Sequence, residues 1–434
     1  SLDHFSPLLS PSPSTMRLIL FFFSLFIQIR TEQKLRFVQI WFRHGERTPT
    51  NYLSFPAEPP IDKDKLPSAM GELTPLGINQ EYELGQRLKE QYGEFLGEYV
   101  ADKILVHAGD DNRTIVSGQT MVAALFPPKK RVIEDLPWQP IPVHSKGNLD
   151  EVSFGIIGKC DGLEKTLKAD PKYQRILDTV DPAVLDLLRN QTGLPIEDPY
   201  QYQNVLDSLK TKIAMNCSAL PFPDWALPLV PSLSFLSTSV HAQMTMILNA
   251  SNGGLHADLV LSRMEENLLL PSRKAFFLSG HDTNIFMIGS FFHTQSLTMD
   301  LCKYAAHLAI EVHEDTNVTA TPDTLTVKLF YAFNLTAPRE EVFIADCSQP
   351  CTLKKLQQLT EGKRWSERRW RDYCEKGEDT YGVDDSIGNG VLTGSLLIAV
   401  AVLVLTSILL LYLTCSYRKQ LEALRDPELR PLIS

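Results

Sequence analysis

A chain of 434 residues with 44% hydrophobic and 22% charged residues has the composition of a globular protein, long enough for two domains or one domain with an insertion. Its formal net charge of −10, with no long basic run, excludes a nucleic-acid binder. An acidic chain that takes an anionic ligand must gather its arginines locally.

Residues 1–15 precede the first methionine and read as an untranslated or non-native extension. Met16-Arg17 then leads into an apolar run at 18–27, the charge-then-apolar order of a secretory signal, placed at 16–31. Residues 37–42 form an apolar run of the right length for a buried strand, and it ends in Arg43-His44-Gly45-Glu46-Arg47-Thr48-Pro49. Arginine stays charged at any working pH and holds phosphate in a bidentate fork. A histidine between two arginines favours its neutral, nucleophilic form. The heptad therefore reads as an anion loop with a nucleophile at its centre.

Residues 51–70, rich in proline, charge and small side chains, read as a long loop over that site. Thr74 and Pro75 open a helix as N-cap and first helical residue, with Leu84, Leu88 and Tyr92 toward the core. Residues 104–106 predict a short strand, 108–112 a loop, and Arg113 or Thr114 the start of a helix running through Met121 to Leu125. Residues 138–144 read as a proline-broken edge strand. From 145 to 230 short helical stretches alternate with polar turns, which predicts a helical cap inserted into an α/β domain of residues 34–144 and 231–380. Residues 237–249 predict a helix returning to that domain, 275–278 a short buried strand, and 324–333 a late strand at an edge or in an antiparallel pair.

Residues 381–390 read as a flexible stalk. Residues 391–413 are 23 positions without a charge, a helix long enough to cross the hydrocarbon core. Asp384 and Asp385 precede this stretch and Arg418 and Lys419 follow it, so the predicted topology is a large lumenal part, one span and a cytoplasmic tail at 414–434. Six of the seven cysteines, Cys160, Cys217, Cys302, Cys347, Cys351 and Cys374, lie on the lumenal side, and Cys415 sits at the cytoplasmic membrane edge. Sequons at Asn190, Asn216, Asn249, Asn317 and Asn334 suit a glycosylated secreted domain. Glu428, Leu432 and Ile433 have the acidic-spacer-dileucine form of a sorting signal read by adaptors at endosomes.

Three predicted strands end in polar loops: at Arg43, His44 and Arg47, near Arg113, and at Ser279-Gly280-His281-Asp282. In an open α/β sheet ligands bind beyond the carboxyl ends of the strands, so these groups are expected to converge. Their chemistry suits phosphoryl transfer. Arg43, Arg47, Arg113 and His281 neutralise the phosphate oxygens, His44 attacks phosphorus, and Asp282 gives a proton to the leaving alcohol. A carboxylic acid donates only while protonated, so an acidic optimum is expected. Arginine takes the place of a metal, and no cofactor is called for.

The heptad, together with Ser279-Gly280-His281-Asp282, resembles the histidine acid phosphatase family. The strings at 125–128 and 138–144 and the cysteine positions are similar to its animal lysosomal, prostatic and testicular members. The resemblance implies a phosphoglycerate-mutase-like α/β fold, with a mainly parallel mixed sheet and a smaller helical cap. It implies a phosphohistidine at His44, disulfides Cys160–Cys374, Cys217–Cys302 and Cys347–Cys351, and homodimers. It also implies a phosphate-monoester substrate and a lysosomal or endosomal membrane, with the cell surface as the other destination. One string departs from the family pattern. Ala108-Gly109-Asp110-Asp111-Asn112-Arg113-Thr114 has Asn112 where the family has a second Asp, so Arg113 is expected to lose a carboxylate partner. Asn112 is formally a sequon and is expected to stay unmodified, since a glycan there would block the site. Alternatives are a phytase or inositol-phosphate phosphatase, and a weakened phosphatase-fold ectodomain acting in binding.

Overall fold

The computed structural model describes residues 33–377 and 379, apart from 51–52, 54, 57, 59–60, 131–132 and 147–159. The expected signal, stalk, span and tail, with Cys415 and the sorting residues, lie outside the described residues. Among those described, no helix is long and apolar enough to cross a membrane.

Strand β1 (Gln33–Arg43) is fully buried from Phe37 onward. Alternate residues serve opposite faces of the sheet: Phe37 and Trp41 join one apolar cluster, Val38, Ile40 and Phe42 another. Helix α1 (Pro75–Leu96) starts as expected, with the Thr74 hydroxyl accepting from the Gly77 N–H at 3.0 Å. Leu84, Leu88 and Tyr92 lie on its buried face. Strand β2 (Ile104–Ala108) and helix α2 (Asn112–Leu125) follow. Helices α3 (Asp161–Ala169), α4 (Pro182–Thr192), α5 (Pro199–Met215) and α6 (Leu233–Leu248) share a further apolar cluster, which also takes in Trp365, Trp370 and Tyr373. Helix α7 (Gly254–Leu269) leads to β3 (Ala275–Gly280), buried throughout, and then to α8 (Asp282–Phe291). The chain closes with β4 (His307–Asp315), β5 (Thr326–Ala332), β6 (Glu340–Val342), α9 (Leu353–Thr360) and α10 (Glu367–Lys376).

The six strands lie in the order β2-β3-β1-β4-β5-β6. β3 is parallel to both β1 and β2, whereas β4 is antiparallel to β1, β5 to β4 and β6 to β5. The sheet is thus mixed but not mainly parallel: half of it is an antiparallel meander. The sequence reading missed β4 because its apolar residues are interrupted by His313, Glu311 and Glu314. Glu311 is buried there because Tyr92 (2.7 Å), His313 (2.8 Å) and Arg339 all donate to it. Residues 138–144 do not form the expected strand. Pro140 and Pro142 lack amide hydrogens, and only His144 bridges to the edge strand at His107.

Cys160–Cys374 and Cys347–Cys351 are disulfides. The third expected pair is not formed: Cys217 and Cys302 are free thiols. Cys302 is closed into the core beside the sheet, where burial pushes its thiol up to about 12, while Cys217 is half-buried beyond the end of α5. Asn190, Asn216 and Asn317 are exposed and Asn334 is half-buried; Asn249 is also half-buried, with its amide oxygen sealed and unpartnered.

Candidate active site

The parallel half of the sheet brings the ends of β1, β2 and β3 side by side. Arg43 pairs in register with Gly280, the His44 N–H donates to Gly280 O at 2.9 Å, and the Gly109 N–H donates to Ser279 O at 3.1 Å. The heptad is pinned from the other side by the start of α1. The Thr74 N–H donates to Glu46 O (2.9 Å), the Thr48 N–H to Glu72 O (3.0 Å), and the Glu46 N–H to the Gln80 side chain (2.9 Å). This seam needs two glycines. A Cβ on Gly45 would lie 2.2 Å from Gly77 O, and one on Gly77 would lie 2.0 Å from Glu46 O.

His44 is buried, and its Nδ1 lies 2.8 Å from Gly45 O. A carbonyl only accepts, so Nδ1 carries the hydrogen and Nε2 keeps its lone pair. Burial, reinforced by Arg113, His281, Arg43 and Arg47, pushes the imidazole well below its usual range. The ring therefore stays neutral in acid, which is what a nucleophile requires.

Arg43 donates to Cys302 O (2.5 Å), pairs with Asp282 (3.0 Å) and stacks over Tyr304 (4.4 Å). Arg47 donates to both oxygens of Asp207, at 3.1 and 3.2 Å. Arg113, in the first turn of α2, donates to Asp111 at 2.6 Å. The expected loss of a carboxylate partner is therefore corrected: Asp111, one residue ahead of Asn112, holds the guanidinium. The Asn112 amide instead donates to Glu72 at 2.8 Å. His281 Nε2 faces the same Asp111 at 3.4 Å, and the His281 ring meets His44 edge-on at 5.3 Å. Burial drives the Asp282 carboxyl up, but Arg43, Lys210, His241 and His281 outweigh it and hold it at about 2.

All six residues expected at the site line one cavity of about 690 Å³. The sequence reading missed others that line it. Asp207 and Lys210 come from α5, and Ser237 and His241 from α6. Tyr304, stacked under Arg43 and 5.8 Å from the His44 ring, was missed too. So was a buried support behind the site. His256 Nδ1 donates to Asn252 O (2.8 Å), so its Nε2 accepts from Asn284 Nδ2 (3.0 Å). That fixes Asn284 Oδ1 to accept the His281 N–H at 2.8 Å. Among the described residues no cluster of three or more His, Cys, Asp or Glu side chains is arranged to hold a metal ion.

The histidine phosphatase superfamily (branch 2) profile matches residues 34–190. The mouse (Mus musculus) testicular acid phosphatase is 30% identical over 349 residues, covering 76% of this chain and 80% of that protein. The chain belongs to this superfamily. Human (Homo sapiens) prostatic acid phosphatase is 32% identical over 271 residues, 58% of this chain and 68% of that protein. Bovine (Bos taurus) lysosomal acid phosphatase is 27% identical over 88% of this chain and 90% of its own length. Among solved structures, the apo phytase of Hafnia alvei superposes with a TM-score of 0.52 at 16% identity, over 77% of this chain and 98% of that one. At that identity the likeness is one of fold.

Proposed function

We propose that this histidine phosphatase is an acid phosphatase that hydrolyses phosphate monoesters through a phosphohistidine at His44. The observation that carries the reading is a neutral imidazole, Nδ1 tied to Gly45 O, buried among Arg43, Arg47 and Arg113. The three guanidinium groups and His281 hold the phosphate oxygens. Nε2 attacks phosphorus, the P–O ester bond breaks, and Asp282 passes its proton to the departing alkoxide. Asp282 then takes a proton from water, whose oxygen attacks the phosphohistidine. The N–P bond breaks, inorganic phosphate leaves, and the protonated Asp282 is restored. In the empty site Asp282 is ionised against Arg43; a bound phosphate competes for Arg43 and raises the carboxyl's proton affinity. At acidic pH the monoester arrives as a monoanion and brings the proton with it.

The charge of the cavity favours a simple monoester over the phytase alternative. Four fixed cations, Arg43, Arg47, Arg113 and Lys210, face five carboxylates, Glu72, Asp110, Asp111, Asp207 and Asp282. A polyphosphorylated ring needs an excess of positive charge that this lining lacks.

The remaining expectations complete the reading: an α/β body of 34–144 and 231–380, a helical cap of 145–230, one membrane span at 391–413, and delivery to an acidic organelle. Relatives named lysosomal acid phosphatase support that destination. Glycans on the exposed Asn190, Asn216 and Asn317, a homodimer, and adaptor binding at Glu428, Leu432 and Ile433 belong to the same proposal. Turnover of a chromogenic phosphomonoester at acid pH, with His44→Ala as control, tests it. An inactive wild type would end the enzymatic reading.

A further inference from the structure

The cavity has two unlike walls. On one, Arg113, Asp111 and His281 lock together and Asn112 holds Glu72. On the other, α5 and α6 present Gln203, Lys210, Ser237 and His241. Three of the four fixed cations already face a carboxylate: Arg43 meets Asp282, Arg47 meets Asp207 and Arg113 meets Asp111. Lys210 does not. Among the described residues its one hydrogen bond is to Ser237 Oγ, at 3.3 Å. Ser237 in turn donates to Gln203 Oε1 at 3.1 Å, which fixes the direction from which Lys210 is held. Burial pulls the ammonium's pKa down, and the nearby Asp282 pulls it up.

A half-buried ammonium that lines the cavity, touches no carboxylate among the described residues and makes one long hydrogen bond keeps donors for an anion that arrives from outside. The phosphate itself is already served by three arginines. Lys210 lines the same cavity as Asp282 and its charge acts on that carboxyl, and the proton donor's neighbourhood receives the leaving group. Resting on the phosphatase reading above, we propose that Lys210 binds a single carboxylate on the leaving alcohol. Preferred substrates are then phosphate monoesters whose alcohol carries one carboxylate a few bonds from the ester oxygen. A second phosphate on the substrate is disfavoured, because Glu72, Asp110, Asp111 and Asp207 ring the rest of the cavity. Nothing in the sequence separates Lys210 from Lys212 two residues on, which is buried and pairs with Glu58.

Phosphoglycolate and ethylene glycol monophosphate test this, because they differ only in a carboxylate against a hydroxymethyl group. The ratio of their kcat/KM values is measured for the wild type, Lys210→Met and Lys210→Arg. The wild type is expected to favour phosphoglycolate by about tenfold, the scale of one partly screened ion pair. Lys210→Met brings the ratio to about one, and Lys210→Arg keeps most of it. A wild-type ratio near one, or a preference that survives Lys210→Met, overturns the proposal. Lys210→Gln, which also removes the charge, carries the same expectation and the same overturning result if Lys210→Met does not fold. If the wild type hydrolyses neither ester nor a chromogenic one, the phosphatase reading itself has failed, which is a separate result.

Discussion

The Asp282 carboxylate lies 3.0 Å from the Arg43 guanidinium, and that pair sets the proton inventory of the empty site. Arg43 is held in turn by Cys302 O and the Tyr304 ring, so Asp282 meets a fixed charge. With the site empty the carboxyl sits at about 2 and has no proton to give. Phosphate must loosen the pair before the acid can act.

The first consequence concerns the leaving group. Asp282→Asn should lower kcat for alkyl phosphates by about 10²–10³-fold, and much less for p-nitrophenyl phosphate, whose leaving group departs as a stable anion. Steady-state rates on both substrates check this. Equal losses would remove Asp282 from the role of proton donor.

The contact of one Arg47 nitrogen with both oxygens of Asp207 predicts a binding effect. Asp207→Asn frees the guanidinium from its orienting carboxylate, and inhibition by inorganic phosphate should weaken by roughly three- to tenfold. The effect is modest because the Asp207 side chain is 43% exposed and screened by water. Phosphate inhibition constants measure it; kcat should change less than the inhibition constant.

Stability in acid follows from the buried histidines. Burial lowers His256 and His307 to about 4 and His44 well below its normal 6.5. The unfolded chain takes up these protons below pH 6.5 while the folded chain refuses them. Stability therefore falls as pH drops from 6.5 toward 4, by about 1.4 kcal/mol per pH unit for each such group. Asp282 acts in the same direction in a lower window: its contribution is complete above 3.8 and is lost only as pH falls toward about 2. Thermal melts of the empty protein should drop between neutral pH and about pH 4.5, and inorganic phosphate should restore part of the loss, since only the folded state binds it. A melting temperature that rises on acidification would contradict the burial of these rings.

The glycine seam predicts a coupled loss. Gly77→Ala drives a methyl into Glu46 O, so the heptad and the start of α1 must separate. Stability should fall by about 1–3 kcal/mol, with activity lost further than the unfolded fraction explains. Denaturant melts and rates on one preparation would show both.

The anion loop was legible because its chemistry is concentrated in seven consecutive residues behind a buried strand. Arg113 and the His281-Asp282 pair were legible because they too follow short apolar strands. The rest was hidden for specific reasons. β4 carries its polarity inward at Glu311, which no alternation rule anticipates. Asp207 and Lys210 sit on a helix whose pattern is the same whether a charge faces water or a ligand, and only packing across α6 tells the two apart. The partner of Arg113 was misjudged because motif matching assigns a carboxylate by position, whereas the turn into α2 lets its neighbour Asp111 reach instead. The pair Cys217–Cys302 shows the same weakness: a family spacing says nothing about where two thiols lie in this chain.

The central claim is covalent phosphorylation of His44. A phosphate ester with a radiolabelled phosphoryl group is mixed with the enzyme at acid pH, quenched in alkali, where a phosphohistidine P–N bond survives, and digested. The account predicts label on the peptide that carries His44, absent in His44→Ala and longer-lived in Asp282→Asn. Label on another residue, or turnover that persists in His44→Ala, would contradict it.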